Sequence, residues 1–279
     1  MDNVTADVGD WWATSITRMA PGVIELRGHP VQDLIGSVTL AETIWLMLRG
    51  ELPTPRQAAL LEAALVAGVD HGPQAPSIAA ARMAATCGVG LNNAVATGIN
   101  LLGDSHGGAG QQCVELLTEI CARWAGGADH DSAAGGADHD SAAGGVDLDT
   151  AVAEVLAAAP RYVPGFGHRF HPVDPRRDPL LDLVDAATRD GVVGGRYATA
   201  ARAVEAALNR PGRRPVPMNI DGATAVVYAE LGFPAPLARG LFVLSRSIGI
   251  LAHAWEETEE GRRNKGPIPP AILPTYRAR

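Results

Sequence analysis

From Gly240 to Trp255 the chain reads GLFVLSRSIGILAHAW. Leu241, Leu244, Ile248, Leu251 and Trp255 fall at helical spacing on one stripe, and most of the remaining positions are apolar as well. A helix that is apolar nearly all round has to be surrounded by other elements, so this segment predicts a helix-on-helix core. Its single full charge is Arg246. A guanidinium in such a helix is expected to be buried or to line a cleft, and it needs an anion opposite it. An internal carboxylate and an anionic ligand both satisfy that need.

The rest of the chain is punctuated in the same way. Thr39-Leu40-Ala41-Glu42 reads as a capping box, with Leu40, Ile44, Met47 and Leu48 on one face and Gly50 closing the segment. Thr54-Pro55-Arg56-Gln57 is a second box with proline at the first helical position. Further helices are predicted near 77–87, 90–102, 108–124, 149–159, 195–209, 222–231 and 236–257. Alternating strand patterns are almost absent, so the fold class read from the sequence is all-α.

With 279 residues, 47% of them hydrophobic, the chain can bury one large core or a large and a small one. The first residues carry acids and no Lys or Arg before Arg18, unlike a secretory leader, and Arg239 and Arg246 interrupt the most apolar stretch, so no membrane span is expected. Three cysteines without a C-x-x-C suggest neither a disulfide framework nor a zinc ribbon, which fits a cytoplasmic setting. A net charge of -8 disfavours nucleic acid as a partner, and any anionic ligand must be held by locally concentrated cations. The nonapeptide GGADHDSAA occurs twice in tandem, at 126–134 and 135–143. Two such copies lack the large apolar residues needed to stack a core, so 126–145 reads as a flexible insertion.

Four other stretches concentrate chemistry. PGFGHRFHPVDPRR, at 164–177, presents His168 after two glycines, with Arg176 behind Asp174. Planar guanidinium groups bind carboxylates bidentately, although an arginine cluster paired to Asp174 and Asp178 explains the same letters. Pro172 keeps His168 and His171 off a common helix face, so no metal site is read there. GDSHGGAG, at 103–110, sets His106 just before a helix N-terminus, where the dipole favours a neutral ring. In NIDG, Asp221 opens a helix and reads either as its N-cap or as a functional carboxylate. His71, in DHGPQAPS, lies in a turn between helices.

Taken in order, LMLRGELPT, DHGPQAPS, GDSHGGAG, PGFGHRFHPVDPR, NIDG and FVLSRSIGILAHAWEE resemble the citrate synthase superfamily over most of the chain, closest to its citryl-CoA lyase branch, both stand-alone and as the C-terminal module of ATP-citrate lyase. The chain differs from that module in carrying His106, which keeps synthase chemistry open. Its C-terminus does not reproduce the family's R-P-R tail, so no arginine is assigned to a partner subunit's site.

The resemblance implies a helical homodimer with a large domain (1–107 and 233–279) and a smaller mobile one (108–232) around a cleft. It implies Claisen-type chemistry linking acetyl-CoA and oxaloacetate with citryl-CoA, as a lyase or as a short synthase, or else a silent subunit, with a citrate-activating CoA ligase as a possible partner. The coenzyme A thioester enters as substrate, and neither a tightly bound cofactor nor a metal is implied. Asp221 matches the carboxylate that exchanges the acetyl proton, His106 the donor to the enolate oxygen, and His168 the group at the oxaloacetate carbonyl or citryl hydroxyl. His71, Arg176 and Arg246 match carboxylate-binding positions. Val163, Pro164, Gly165, Phe166 and Gly167 match backbone that contacts the adenine of CoA. General acid-base groups beside a preorganised donor are what removal of a weakly acidic thioester α-proton requires.

Overall fold

The computed structural model describes residues 9–124, 145–159, 162–168, 171–209, 212 and 215–278. The tandem repeats, and Arg169 and Phe170 of the glycine-histidine loop, lie outside these residues. The chain forms two compact units, 1–62 and 63–279.

The first unit opens with a small antiparallel sheet that the all-α reading passes over: β1 (Thr17–Ala20), β2 (Val23–Leu26) and β3 (His29–Pro30), in that order. Strands of four and two residues, none of them buried, are too short to show an alternating pattern. Their turns are local. Arg27 and Gly28, at φ 51° and 84°, join Leu26 to its partner His29 with the positive-φ pair that a two-residue hairpin needs. A single turn, α1 (Val31–Leu34), follows. Helix α2 (Leu40–Arg49) starts in the expected capping box: Glu42 N–H donates to Thr39 Oγ1 at 3.2 Å, Thr39 N–H donates to Glu42 Oε2 at 2.6 Å, and Gly50 closes the helix at φ 88°. Helix α3 (Pro55–Gly68) opens on the second box, with Thr54 N–H donating to Gln57 Oε1 at 2.9 Å.

The second unit is helical: α4 (Pro76–Thr86), α5 (Leu91–Asn100), α6 (Ala109–Arg123), α7 (Leu148–Ala158), α8 (Arg177–Arg189), α9 (Arg196–Leu208), α10 (Ile220–Glu230) and α11 (Ala235–Glu259). Seven of these helices match the expectation to within a few residues, and α8 adds to it. α8 escapes the sequence reading because Pro179 and a run of charges hide its buried Leu180, Leu181 and Val184. The most enclosed helix is α10, in which Ile220 and every residue from Gly222 to Ala229 are buried. It packs on α6, α8 and α9.

Helix α11 packs on α4, α5 and α6, burying Ala238, Leu241, Ser245, Arg246, Gly249, Ile250, Ala254 and Glu257. That corrects the expected stripe. Leu241 is buried, but Leu244, Ile248, Leu251 and Trp255 are exposed along the opposite side. By length and hydropathy alone α11 would suffice to cross a membrane, yet its buried face is an ordinary packed one. Close approach is bought by glycine: a methyl on Gly98 of α5 would meet Ile250 Cγ2 at 2.7 Å and Ser77 O at 2.8 Å.

Candidate active site

A cleft of about 1430 Å³ in the second unit is lined by Asp70, His71, the turn Asp104–Gly107, Val163, Phe166 to His168, Arg176 and Asn219 to Asp221, among others. It therefore collects most of the residues that the sequence singles out, from segments as far apart as Asp70 and Asp221.

The glycine loop is built against the start of α10. Gly167 N–H donates to Pro217 O at 2.7 Å, Asn219 N–H to Gly165 O at 2.9 Å, and Asn219 Nδ2–H to Gly167 O at 2.7 Å. Gly165 and Gly167 sit at φ 84° and 80°, and a Cβ on Gly165 would lie 2.7 Å from Cys113 Sγ and 2.8 Å from Gly222 Cα. Gly222 is constrained from the other side, since its Cβ would come 2.4 Å from Gly165 O. Because that neighbour is backbone, Gly222→Ala is expected to cost about 2 kcal/mol and to push the loop outward, lowering the melting temperature and weakening any ligand seated on 163–167. Unchanged melting would contradict the contact.

Asp221 is not the N-cap of α10. Asn219 fills that place, its Oδ1 accepting from Asp221 N–H at 2.9 Å and Gly222 N–H at 3.2 Å. Asp221 is the second residue of the helix, in its first turn, with its carboxylate free of hydrogen bonds among the described residues. Burial raises its pKa, against the lowering pull of the Arg246 and Arg176 charges. A carboxylate poised to hold a proton, and not used by the fold, is the signature of an acid-base group.

His106 sits before α6 as expected, but its ring is bound elsewhere. Ser77 N–H, one of the unpaired donors at the start of α4, donates to His106 Nε2 at 3.2 Å, and Ser77 Oγ lies 2.9 Å from the same nitrogen. A backbone N–H can only donate, so Nε2 carries the lone pair and the ring hydrogen is on Nδ1. Burial, and next the Arg246 charge, lower the pKa, so the ring is a neutral donor.

His168 shows the opposite tautomer. His171 N–H donates to its Nδ1 at 3.0 Å, which leaves the hydrogen on Nε2, 3.9 Å from Asp174 Oδ2. Its pKa is lowered, chiefly by burial. The rings of His71 and His171 lie 5.6 and 4.7 Å from it, centroid to centroid. His71 keeps an open edge in the cleft, yet the cleft walls, then Arg246, Arg176 and His168, bring its pKa down to about 4. It meets a ligand as a neutral imidazole.

The two arginines differ. Arg176 turns its fork on Asp174, with Nε to Oδ1 at 3.0 Å and Nη2 to Oδ2 at 2.9 Å, and its Nη1 reaches the carbonyls of Ala67 and Asp70 at 3.4 Å each. The internal pairing weighed in the sequence reading is therefore present, and Arg176 offers the cleft an edge rather than an open fork. Asp174, fully buried, also accepts from Arg176 N–H and from Ile220 N–H at 3.2 Å. Burial would raise its pKa, but these donors outweigh it and hold the carboxyl near 2. That Asp174 ties the loop to α10 has no mark in the residues around it. Arg246 is 3% exposed, donates from Nε to Gly68 O at 3.0 Å, and stacks over Phe242 at 4.8 Å. Among the described residues no carboxylate comes within ion-pair distance of it, and Asp221 and Asp70 act on its charge only from further away.

This constellation has close parallels. The profile of the citrate synthase C-terminal domain matches residues 53–271. The chain belongs to the citrate synthase family. Citryl-CoA lyase from Hydrogenobacter thermophilus is 30% identical, superposes with a TM-score of 0.78, and is matched over 96% of this chain and 95% of its own. ATP citrate lyase from Methanothrix soehngenii shares the fold at a TM-score of 0.75 and 19% identity, over 45% of its length. Citrate synthase from Haloferax volcanii is 27% identical over 256 residues, 90% of this chain and 61% of that relative. The chain thus spans less than two thirds of the length of that curated synthase.

Proposed function

We propose that this citrate synthase family member is a citryl-CoA lyase, cleaving citryl-CoA reversibly to acetyl-CoA and oxaloacetate. The observation that carries the reading is Asp221: a half-buried carboxylate with raised proton affinity, released from capping duty by Asn219, in one cleft with two neutral histidines whose donor nitrogens are fixed. Near full-length likeness to a citryl-CoA lyase supports the lyase over the synthase.

In the cleavage direction the citryl hydroxyl loses its proton and the bond between the thioester α-carbon and the carbinol carbon breaks. The electron pair passes into the thioester as an enolate, and the carbinol carbon becomes the ketone of oxaloacetate. His106 Nδ1–H supplies the hydrogen bond to the enolate oxygen, and Asp221 returns a proton to the α-carbon. His168, as it stands, donates from Nε2 and so suits the ketone of oxaloacetate. To take the hydroxyl proton it must present Nε2 bare, which moves the ring hydrogen to Nδ1 and gives up the contact with His171 N–H. Arg246, the Arg176 edge and neutral His71 hold the carboxylates. The loop 163–167 receives the CoA adenine. The reading includes hinge motion of 108–232 against the rest and a cytoplasmic homodimer, for which the exposed Leu244, Ile248, Leu251 and Trp255 offer an apolar face.

The rival is a short citrate synthase, favoured by the histidine of the H-G-G turn with its hydrogen on Nδ1. Offering citryl-CoA and following oxaloacetate with a coupled dehydrogenase tests the lyase. Supplying acetyl-CoA with oxaloacetate tests the synthase: stoichiometric release of free CoA thiol with citrate would overturn the lyase assignment.

A further inference from the structure

One face of α11 runs along the segment that carries His71. Arg246 donates to Gly68 O. Three residues on, Gly249 lies so close beneath Val69 that a Cβ there would stand 2.2 Å from Val69 O and 3.0 Å from Asp70 Oδ1. Four residues further, His253 Nε2 lies 3.3 Å from Asp70 Oδ1. Positions i, i+3 and i+7 of a helix share a face, so three successive residues of the segment are gripped in register. Asp70 uses its second oxygen to accept Gly72 N–H at 3.1 Å, which leaves His71 bracketed between two residues tied to one carboxylate.

His253 is oriented from behind. Arg82 Nη1, on α4, lies 2.8 Å from His253 Nδ1. A guanidinium only donates, so Nδ1 accepts and the ring hydrogen is on Nε2, aimed at Asp70. Arg82 is fixed in turn by Glu256 at 2.5 Å and by Glu257, which is fully buried and also paired with Lys265. We propose that His253 is a positioning residue for His71: held by Arg82, it donates to Asp70 and so sets the turn that presents the His71 ring to the cleft. The inference deepens the functional reading, in which His71 contacts the oxaloacetate carboxylates.

The test is made on the full chain with His253→Phe, which keeps the ring volume and loses the donor, and His253→Gln, which restores an N–H. The first readout needs no ligand. The His71 ring resonance, assigned by its loss in His71→Gln, titrates in the parent protein well below 6.5; in His253→Phe it moves up towards 6.5 as the ring leaves the flank of Arg246, Arg176 and His168, and in His253→Gln it stays low. An unmoved His71 titration in His253→Phe overturns the proposal whatever the substrate proves to be. The second readout is oxaloacetate affinity by calorimetry. A displaced contact residue is expected to weaken it on the order of 10-fold in His253→Phe, with recovery in His253→Gln. In a His71→Gln background His253→Phe should add nothing, and equal loss in both backgrounds would mean that His253 acts by another route. Should the parent protein bind no oxaloacetate, the functional reading falls while the titration still decides the positioning. If His253→Phe does not fold, Asp70→Ala removes the same bond from the turn's side and is expected to move the His71 titration in the same direction.

Discussion

Asp221→Asn is expected to leave stability within about 0.5 kcal/mol of the parent, with melting unchanged, while lowering citryl-CoA turnover at least ~10²-fold. The first half follows from Asn219, which already caps α10 and accepts from the N–H groups of residues 221 and 222, so the helix start does not depend on the carboxylate. Asparagine is nearly isosteric and keeps the backbone N–H bond to Asn219, and the carboxylate it replaces makes no hydrogen bond among the described residues. The second half follows because an amide neither accepts nor returns the α-proton. Substrate affinity, read by calorimetry with oxaloacetate, should be retained. Turnover close to that of the parent protein would remove Asp221 from the chemistry.

Arg246→Leu is expected to weaken oxaloacetate binding on the order of 10²-fold, the scale of losing charge-assisted hydrogen bonds to a carboxylate, with little change in melting. Breaking a buried ion pair would strand a carboxylate and destabilise the protein by several kcal/mol. No such partner lies within 4 Å of Arg246 among the described residues, and the bond given up is one to Gly68 O. Calorimetry and thermal melting of the ligand-free variant read the two effects separately. A large fall in melting temperature with unchanged affinity would make Arg246 a structural charge.

The helical architecture was legible because its signals are local. Capping boxes at Thr39 and Thr54 and the apolar run of α11 report on neighbouring residues, and the helices follow them. What stayed hidden depends on partners distant in sequence. The buried side of α11 escapes a sequence reading because four large apolar residues form the exposed stripe, while the packed face mixes Leu241 and Ile250 with small residues, Ser245, Arg246 and Glu257. Asn219 could have been read as the cap, since asparagine is as good at that position as aspartate and stands two residues earlier. Asp174 and His253 carried no comparable mark. Each acts through a contact, to Ile220 N–H and to Asp70, that only the folded chain brings about.

The Ser77–His106 contact makes proton uptake and helix integrity one equilibrium. To become an imidazolium, the ring must put a hydrogen on the nitrogen that now accepts from Ser77 N–H, giving up that bond at the positive end of α4 and turning to Ser77 Oγ, 2.9 Å away. The charged ring is thus disfavoured together with the loss of a helix end bond, of the order of 1–3 kcal/mol for a donor left unpaired. Acid strong enough to charge His106 is acid that loosens the start of α4, so the neutral ring and the intact helix end are kept or lost together.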